Sequence, residues 1–338
     1  MTGPLLARRR LGGTDVAVTA LGLGAAPLGN LYAPVDDETA ERTVVAAWDC
    51  GIRWFDTAPH YGLGLSERRV GRALRTRPRP DYVVSTKVGR LLDPIEAPSG
   101  DDLAAGFAVP ATHRRRWDFS ADGVRRSLAD SLDRLGLDRV DLVFVHDPDD
   151  HVDQALHEAV PALVALRDQG VVGAVGVGMN AAAPLARFVA EADVDTVLLA
   201  GRYTLLEQTA LDDLLPLCAA RGIAALVGGV FNSGLLSRRW PADDATYDYR
   251  RVPQQLLQRA RRLAEVCERS GGSLPQAALQ FPTGHGAVRA VLVGARSPQE
   301  IETDAALAAA LVPPALWSDL AAEGLLDPRA PYPRAPSP

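Results

Sequence analysis

Lysine is nearly missing from this chain of 338 residues: Lys87 is the only one, and every other basic side chain is arginine. A bias toward arginine accounts for the others but not for the survivor. An ammonium is compact and its pKa responds to its surroundings, whereas a guanidinium is forked and stays charged. A site that depends on those amine properties cannot accept the exchange. Cysteine is scarce as well. Cys50, Cys218 and Cys267 are odd in number and far apart, which excludes a disulfide framework or a zinc knuckle. Cys50 and Cys267 fall in helical apolar patterns and read as buried thiols. Long apolar runs are absent: the longest nearly apolar stretch, 222–231, is about half of what a membrane span needs. Residues 1–10 carry leucines and then three arginines, unlike a signal peptide. A cytoplasmic protein with no membrane partner is expected. Positive charge is in deficit, with a formal net charge of −6, which argues against a nucleic-acid partner. The His, Asp and Glu residues show no zinc-ligand spacing, so no metal is expected.

What is present is a regular alternation. The hydrophobic share of 47% suffices for a large core. Short apolar runs at 19–22, 53–56, 82–87, 140–146, 171–177, 194–199, 223–227 and 290–293 read as strands buried on both faces. Amphipathic stretches at 37–50, 66–75, 122–135, 154–169, 181–190, 208–221 and 298–311 read as helices. Strict alternation implies a parallel sheet. Eight units without a change of rhythm predict an α/β fold, a single (β/α)8 TIM barrel over residues 1–326, with an N-terminal β-hairpin turning at 11–15. The glycine patterns at 22–27 and 62–67 each lack the third glycine of a dinucleotide fingerprint. They read as turns at strand ends, and no Rossmann domain is expected. Two long connections, 91–119 after the third strand and 231–249 after the seventh, leave the strand ends where barrel enzymes carry their sites. The proline-rich segment 327–338 reads as a loosely held tail.

Asp56, Lys87 and His146 stand at the C-terminal ends of the second, third and fourth predicted strands, and Tyr61 follows Asp56 after a short turn. In a barrel those ends converge on one rim. Their chemistry is complementary. A free phenol has a pKa near 10; a neighbouring ammonium stabilises the phenolate, and a carboxylate holds the ammonium. A histidine beside the phenol orients a substrate oxygen. The set suits carbonyl–alcohol interconversion with hydride supplied or taken by a cofactor. The bland alternative is that Asp56 and Lys87 form a structural ion pair in the barrel mouth.

The stretches Trp54-Phe55-Asp56-Thr57-Ala58-Pro59-His60-Tyr61-Gly62, Ser85-Thr86-Lys87-Val88 and Val145-His146-Asp147-Pro148 resemble the signatures of the aldo-keto reductase superfamily. Within it the chain looks most similar to the D-threo-aldose 1-dehydrogenase (L-fucose or D-arabinose dehydrogenase) subgroup, through Gly176-Val177-Gly178-Met179-Asn180, Ala200-Gly201-Arg202-Tyr203 and Gly229-Val230-Phe231-Asn232-Ser233-Gly234. The resemblance implies Tyr61 as proton donor or acceptor, Lys87 and Asp56 as its tuning pair, and His146 as the group orienting the substrate oxygen. It also implies NAD(P) as cofactor. Asn180 would hold the nicotinamide, with Gly24 and Ala25 near it; Gly229, Phe231, Asn232, Ser233, Gly234 and Leu236 would form the loop over the pyrophosphate. Gly294, Arg296, Glu300 and Asp304 would meet the adenosine end. His60, Trp117 and Asp147 are the candidate substrate contacts.

Several positions depart from the family pattern. Met179 replaces a serine, Ala200 a glutamine, and Gly228 the aromatic ring that commonly stacks on nicotinamide, a ring Phe231 would then replace. Glu300 stands where an arginine often meets a 2′-phosphate, and Asp304 where an asparagine is usual. Carboxylates there repel a phosphate, so NAD is favoured over NADP, with Arg296 pulling the other way. The expected activity is oxidation of an aldose's anomeric hydroxyl to a lactone. Alternatives are aldehyde or ketone reduction, pyridoxal oxidation, a dinucleotide-binding regulatory subunit, and a Schiff-base aldolase using Lys87. The partner is a small sugar or carbonyl compound, and the monomer and the dimer both remain open.

Overall fold

The computed structural model describes residues 7–248 and 250–333. Eight parallel strands close into a barrel in sequence order: β1 (Leu21–Gly24), β2 (Trp54–Asp56), β3 (Val83–Val88), β4 (Val140–His146), β5 (Val172–Met179), β6 (Thr196–Ala200), β7 (Ala224–Gly228) and β8 (Val288–Gly294). Helices α1 (Asp37–Asp49), α2 (Leu65–Leu74), α3 (Ala121–Leu135) and their successors pack around it. The expected hairpin is present, Arg8–Arg10 pairing with Ala17–Thr19. Its Leu11 and Val18 plug the bottom of the barrel against Trp54, Leu142 and Leu226.

Strand alternation decides what reaches the mouth. On β4, Leu142 and Phe144 face the barrel interior, so with a period of two His146 ends on the same face. The same counting turns Val83, Ser85 and Lys87 inward on β3, and Trp54 and Asp56 on β2. At their C-terminal ends β1 and β5 run furthest beyond the apolar runs, β1 to Gly24 and β5 to Met179. The glycines of β1 had read as a turn, but at Gly22 the barrel has no room for a side chain. A Cβ on Gly22 would lie 2.3 Å from the Trp54 ring.

Other differences are local. The stretch 154–169 is interrupted: a π-turn at Ala155–Ala159 precedes the α-helix Val160–Asp168, where Pro161 offers no N–H to continue the ladder. The stretch 208–221 is a 3-10 turn, Thr209–Leu211, followed by Leu214–Arg221. After β7 come two helices, Gln254–Arg269 and Leu274–Gln280, and the chain adds Pro314–Ala322 after Pro298–Ala309. Residues 327–333 lie against the barrel rather than trailing from it. The Asp327 N–H donates to Gln208 Oε1 at 3.0 Å, and Tyr332 stacks on Trp317. Residues 334–338 fall outside the described residues. Among the described residues no single helix is long and apolar enough to cross a membrane.

One buried polar tie sets the position of β3 against the helices. Glu67 on α2 is fully buried; its carboxylate accepts from Thr86 Oγ1 at 2.7 Å and from Arg134 Nε on α3 at 2.6 Å. Removing one partner of a buried ion pair strands the other without water. Glu67→Ala is expected to lower the unfolding free energy by about 3–5 kcal/mol, read from the midpoint of urea denaturation.

Candidate active site

Asp56, Lys87 and Ser85 form a ladder up the barrel interior. Trp54 Nε1 donates to Ser85 Oγ at 2.9 Å, and Ser85 Oγ donates to Asp56 Oδ1 at 2.7 Å. Lys87 Nζ donates to Asp56 Oδ2 at 2.5 Å and to the Thr57 carbonyl at 2.9 Å. The two charged side chains are 2% and 1% exposed, so each depends on the other for its charge. Burial opposes the ammonium, but Asp56 and Tyr61 outweigh it and raise Lys87 above its ordinary pKa.

Tyr61 reaches the same spot through a turn that only glycine permits. Gly62 has φ +62°, and a Cβ there would sit 2.2 Å from the Gly29 carbonyl oxygen. The Tyr61 ring centroid lies 4.7 Å from Lys87 Nζ and 5.8 Å from the His146 ring, edge-on. Burial pushes the phenol up to about 12; Lys87 pulls it down, while Asp56 and Asp147 push it further up. His146 is lowered well below the usual histidine value by burial, helped by Arg90, Lys87 and His60. It is a neutral imidazole. Its Nδ1 is buried without a partner, and its Nε2 lies 3.5 Å from Asp147 Oδ2. Asp147 has a left-handed backbone, φ +42°, and accepts from Arg90 at 2.5 Å.

Above these residues is a cavity of about 610 Å3. His60, Tyr61, Lys87, His146, Asp147 and Asn180 line one side, with Met179, Leu198 and Ala200 beside them. Leu31, Tyr32, Leu103 and Phe107 line the other. Leu31 and Tyr32 belong to the β1–α1 loop, and Leu103 and Phe107 to the connection 91–119, which is ordered into two hairpins: Arg90–Pro94 pairs with His113–Trp117, and Asp101–Asp102 with Phe107–Pro110. It is tied down to the β1–α1 loop, where the Ala108 N–H donates to the Asn30 carbonyl at 2.9 Å and the Tyr32 N–H to that of Gly106 at 2.7 Å.

The sequence did not single out Leu31, Tyr32, Arg90, Leu103 or Phe107. Arg90 carried a usable signal, since it follows the third strand as Asp147 follows the fourth. The apolar residues carried none. Of the candidate substrate contacts, His60 and Asp147 line the cavity. Trp117 does not; its ring lies under the Arg90 guanidinium, 5.6 Å from centroid to Cζ, and it is half exposed.

The candidate cofactor residues spread around the rest of the rim. Asn180 is exposed at the end of β5 and lines the cavity. Ala25 is fully buried with both backbone groups bonded, N–H to Asp56 and C=O to Ser66 Oγ; Ala26 is the residue on the cavity wall. Gly24 lies behind it, packed toward Leu292. After β7, Gly229, Asn232, Ser233 and Gly234 all have positive φ, a run of turns that can present successive N–H groups to an anion. Asn232 Oδ1 is buried there without a partner, an unsatisfied acceptor that a bound group would meet. Phe231 packs on the core and Leu236 lies wholly within it, so neither side chain lines the cavity. Gly228 leaves open the space where a ring would stand, its nearest contact for a Cβ being Leu198 at 3.8 Å.

Beyond Gly294 at the end of β8, the Arg296 N–H donates to Glu300 Oε2 at 2.7 Å and its guanidinium to the Ala33 carbonyl at 3.1 Å. Asp304 is buried and pushed up to about 7 by burial and by Glu300. These groups fit a dinucleotide laid over the rim: an amide at the cavity, a turn of N–H groups, then a polar cleft.

A family model described as the aldo/keto reductase family matches residues 20–320. The chain is 48% identical over 314 residues to a D-threo-aldose 1-dehydrogenase from a Pseudomonas species, covering 92% of this chain and 95% of that protein. It is 40% identical over 336 residues to a pyridoxal 4-dehydrogenase from Microbacterium luteolum, covering 94% and 98%. Among solved structures, the holo form of an aldo-keto reductase from Bacillus halodurans superposes with a TM-score of 0.75 at 26% identity, covering 95% of this chain and 96% of that one. The chain belongs to the aldo/keto reductase family and is an NAD(P)-dependent oxidoreductase.

The electrostatics of Tyr61 can be read directly. A phenol held near 12 stays protonated throughout the neutral range. In an ultraviolet difference titration of the wild type against Tyr61→Phe, no missing component is expected below about pH 10, the ordinary tyrosine value. A component lost below that pH would show that Lys87, not burial, dominates.

Proposed function

We propose that this protein oxidises the anomeric hydroxyl of a cyclic aldose to a lactone, with NAD preferred over NADP, in the cytoplasm. The observation that carries the reading is Tyr61 beside Lys87 and His146 at the floor of a cavity whose near wall is polar. A volume of about 610 Å3 suits a small ligand together with part of a cofactor. The names of the two relatives, an aldose dehydrogenase and a pyridoxal dehydrogenase, support the oxidative direction.

A nicotinamide dinucleotide, when bound, supplies the acceptor for the hydride that leaves the anomeric carbon with its electron pair. Asn180 would hold its amide, the turn at 229–234 its pyrophosphate, and the cleft at Arg296, Glu300 and Asp304 its adenosine. Tyr61 takes the hydroxyl proton as the carbon–oxygen double bond forms. The phenol must first be ionised to do so, and Lys87 is the cation that stabilises it. His146, neutral, donates a hydrogen bond to the same oxygen. In carbonyl reduction the roles reverse and the phenol is already in the form required. Because the group that must ionise has a raised pKa, oxidation is expected to quicken as pH rises from 7 to 10, while reduction stays level. Rates in both directions over that range check this.

The Glu300 carboxylate disfavours a 2′-phosphate by like-charge repulsion, and the Arg296 guanidinium turns one of its donors to the Ala33 carbonyl. Glu300→Arg should bring the dissociation constants of NAD and NADP closer by roughly tenfold, a step of about 1.4 kcal/mol, read by quenching of protein fluorescence. The apolar wall of Leu31, Leu103 and Phe107 supports a second reading, an aromatic substrate such as pyridoxal.

Cofactor reduction followed by absorbance separates the readings. L-fucose, D-arabinose, L-galactose and pyridoxal would be tested with each dinucleotide. Turnover of the sugars, lowered roughly a hundredfold or more in Tyr61→Phe with dinucleotide affinity kept, is the expected result. Turnover of pyridoxal alone would establish the second reading, and turnover of none would overturn both.

A further inference from the structure

His60 is held in a way that the reaction at Tyr61 does not require. Arg115, on the returning strand of the outer hairpin, donates from Nε to His60 Nδ1 at 2.6 Å and from a terminal nitrogen to the His60 carbonyl at 2.9 Å. Its remaining donors grip both carboxylate oxygens of Asp102, at 2.7 and 2.6 Å. Arg115 and Asp102 are 9% and 11% exposed, so the brace is built into the cavity roof. A guanidinium has donors only and cannot give up a proton. His60 Nδ1 must therefore accept, and the proton of the neutral ring must sit on Nε2.

The ring stays neutral because its pKa is lowered to about 2, first by burial and then by Arg90, Arg115 and Lys87. It lines the cavity, with its centroid 5.8 Å from that of His146 and 6.1 Å from that of Tyr61. Phe107 closes its other side, edge-on at 5.1 Å. His60 thus offers the cavity one donor, of unchanging sense, a ring's width from the group facing the reacting oxygen.

We propose that His60 is a fixed hydrogen-bond donor to a second substrate oxygen, next to the reacting carbon, and that Arg115 is the positioning residue that locks it in the Nε2–H tautomer. This rests on the aldose reading above for the identity of the substrate, though not for the tautomer. A sugar with a hydroxyl on the neighbouring carbon would satisfy the donor. A 2-deoxy sugar would leave it buried and unpaired, which is how a site rejects an analogue lacking one group.

Nitrogen-15 spectra of the intact protein, with His60 assigned by its loss in His60→Leu, test the lock without turnover. A protonated Nε2 and a bare Nδ1 are expected, with a mixture of tautomers in Arg115→Met and recovery in Arg115→Lys, which keeps a donor. A proton on Nδ1 in the wild type would overturn the proposal. Adding L-fucose at saturation should shift the Nε2 resonance, and 2-deoxy-L-fucose, which lacks only the 2-hydroxyl, should shift it less; equal or absent shifts would overturn the substrate role. In kinetics, His60→Leu should lose about tenfold in kcat/KM on the 2-hydroxy sugar and little on the 2-deoxy sugar, with partial return in His60→Gln. Unchanged discrimination would sink the donor role even where the dehydrogenase reading stands. Absence of any turnover in the wild type would fail that reading and leave the nitrogen spectra to decide the inference.

Discussion

The ion pair between Lys87 and Asp56 is the constraint on which the rest of the barrel mouth depends. Neither charge has water to fall back on, and at 2.5 Å each is the other's main source of stabilisation. The pair is held from below by Ser85 and Trp54 and from the side by the Thr57 carbonyl. Lys87 therefore cannot swing away from Tyr61. The fit also explains the surviving lysine. A guanidinium in this place would need five donors satisfied, where the site offers one carboxylate oxygen and one carbonyl.

The other cations of the mouth are neutralised in the same way, each by its own carboxylate. Arg90 is paired with Asp147, and Arg115 with Asp102. The histidines between them are pressed into their neutral forms. Neither histidine then competes as a charged acid, and the phenol of Tyr61 is left as the proton-carrying group at the cavity floor. Charge balance in the walls is also what permits the cavity to be lined by so many ionisable groups without a net field that would bind small ions in place of a neutral ligand.

The parts legible in the sequence were those governed by period and position. Asp56, Lys87 and His146 each close an apolar run, and the alternation that turns Phe144 inward turns His146 inward too. The roof was not legible. Arg115 meets His60 across 55 positions because residues 90–94 and 113–117 pair as a hairpin, and nothing in the composition of 91–119 specifies that register. Trp117 ends the same strand opposite Arg90, and its ring lies against that guanidinium rather than in the cavity. The direction of the Leu236 side chain was not legible either: the loop after β7 turns tightly through four residues of positive φ, and the following leucines are buried in the core.

The mouth is divided along the chain. Strands β2, β3 and β4 contribute the groups packed around Tyr61, whereas the asparagine, the left-handed turn and the polar cleft follow β5, β7 and β8. The apolar roof of the cavity belongs to the first half, since it springs from β3 and rests on the β1–α1 loop. A barrel makes this separation possible because its frame is stabilised by the closed sheet and its helices, not by the connections above them. The roof can therefore be rebuilt without disturbing the dinucleotide side. The brace between Arg115 and His60 lies within that first half, fastening the roof to the turn that carries Tyr61.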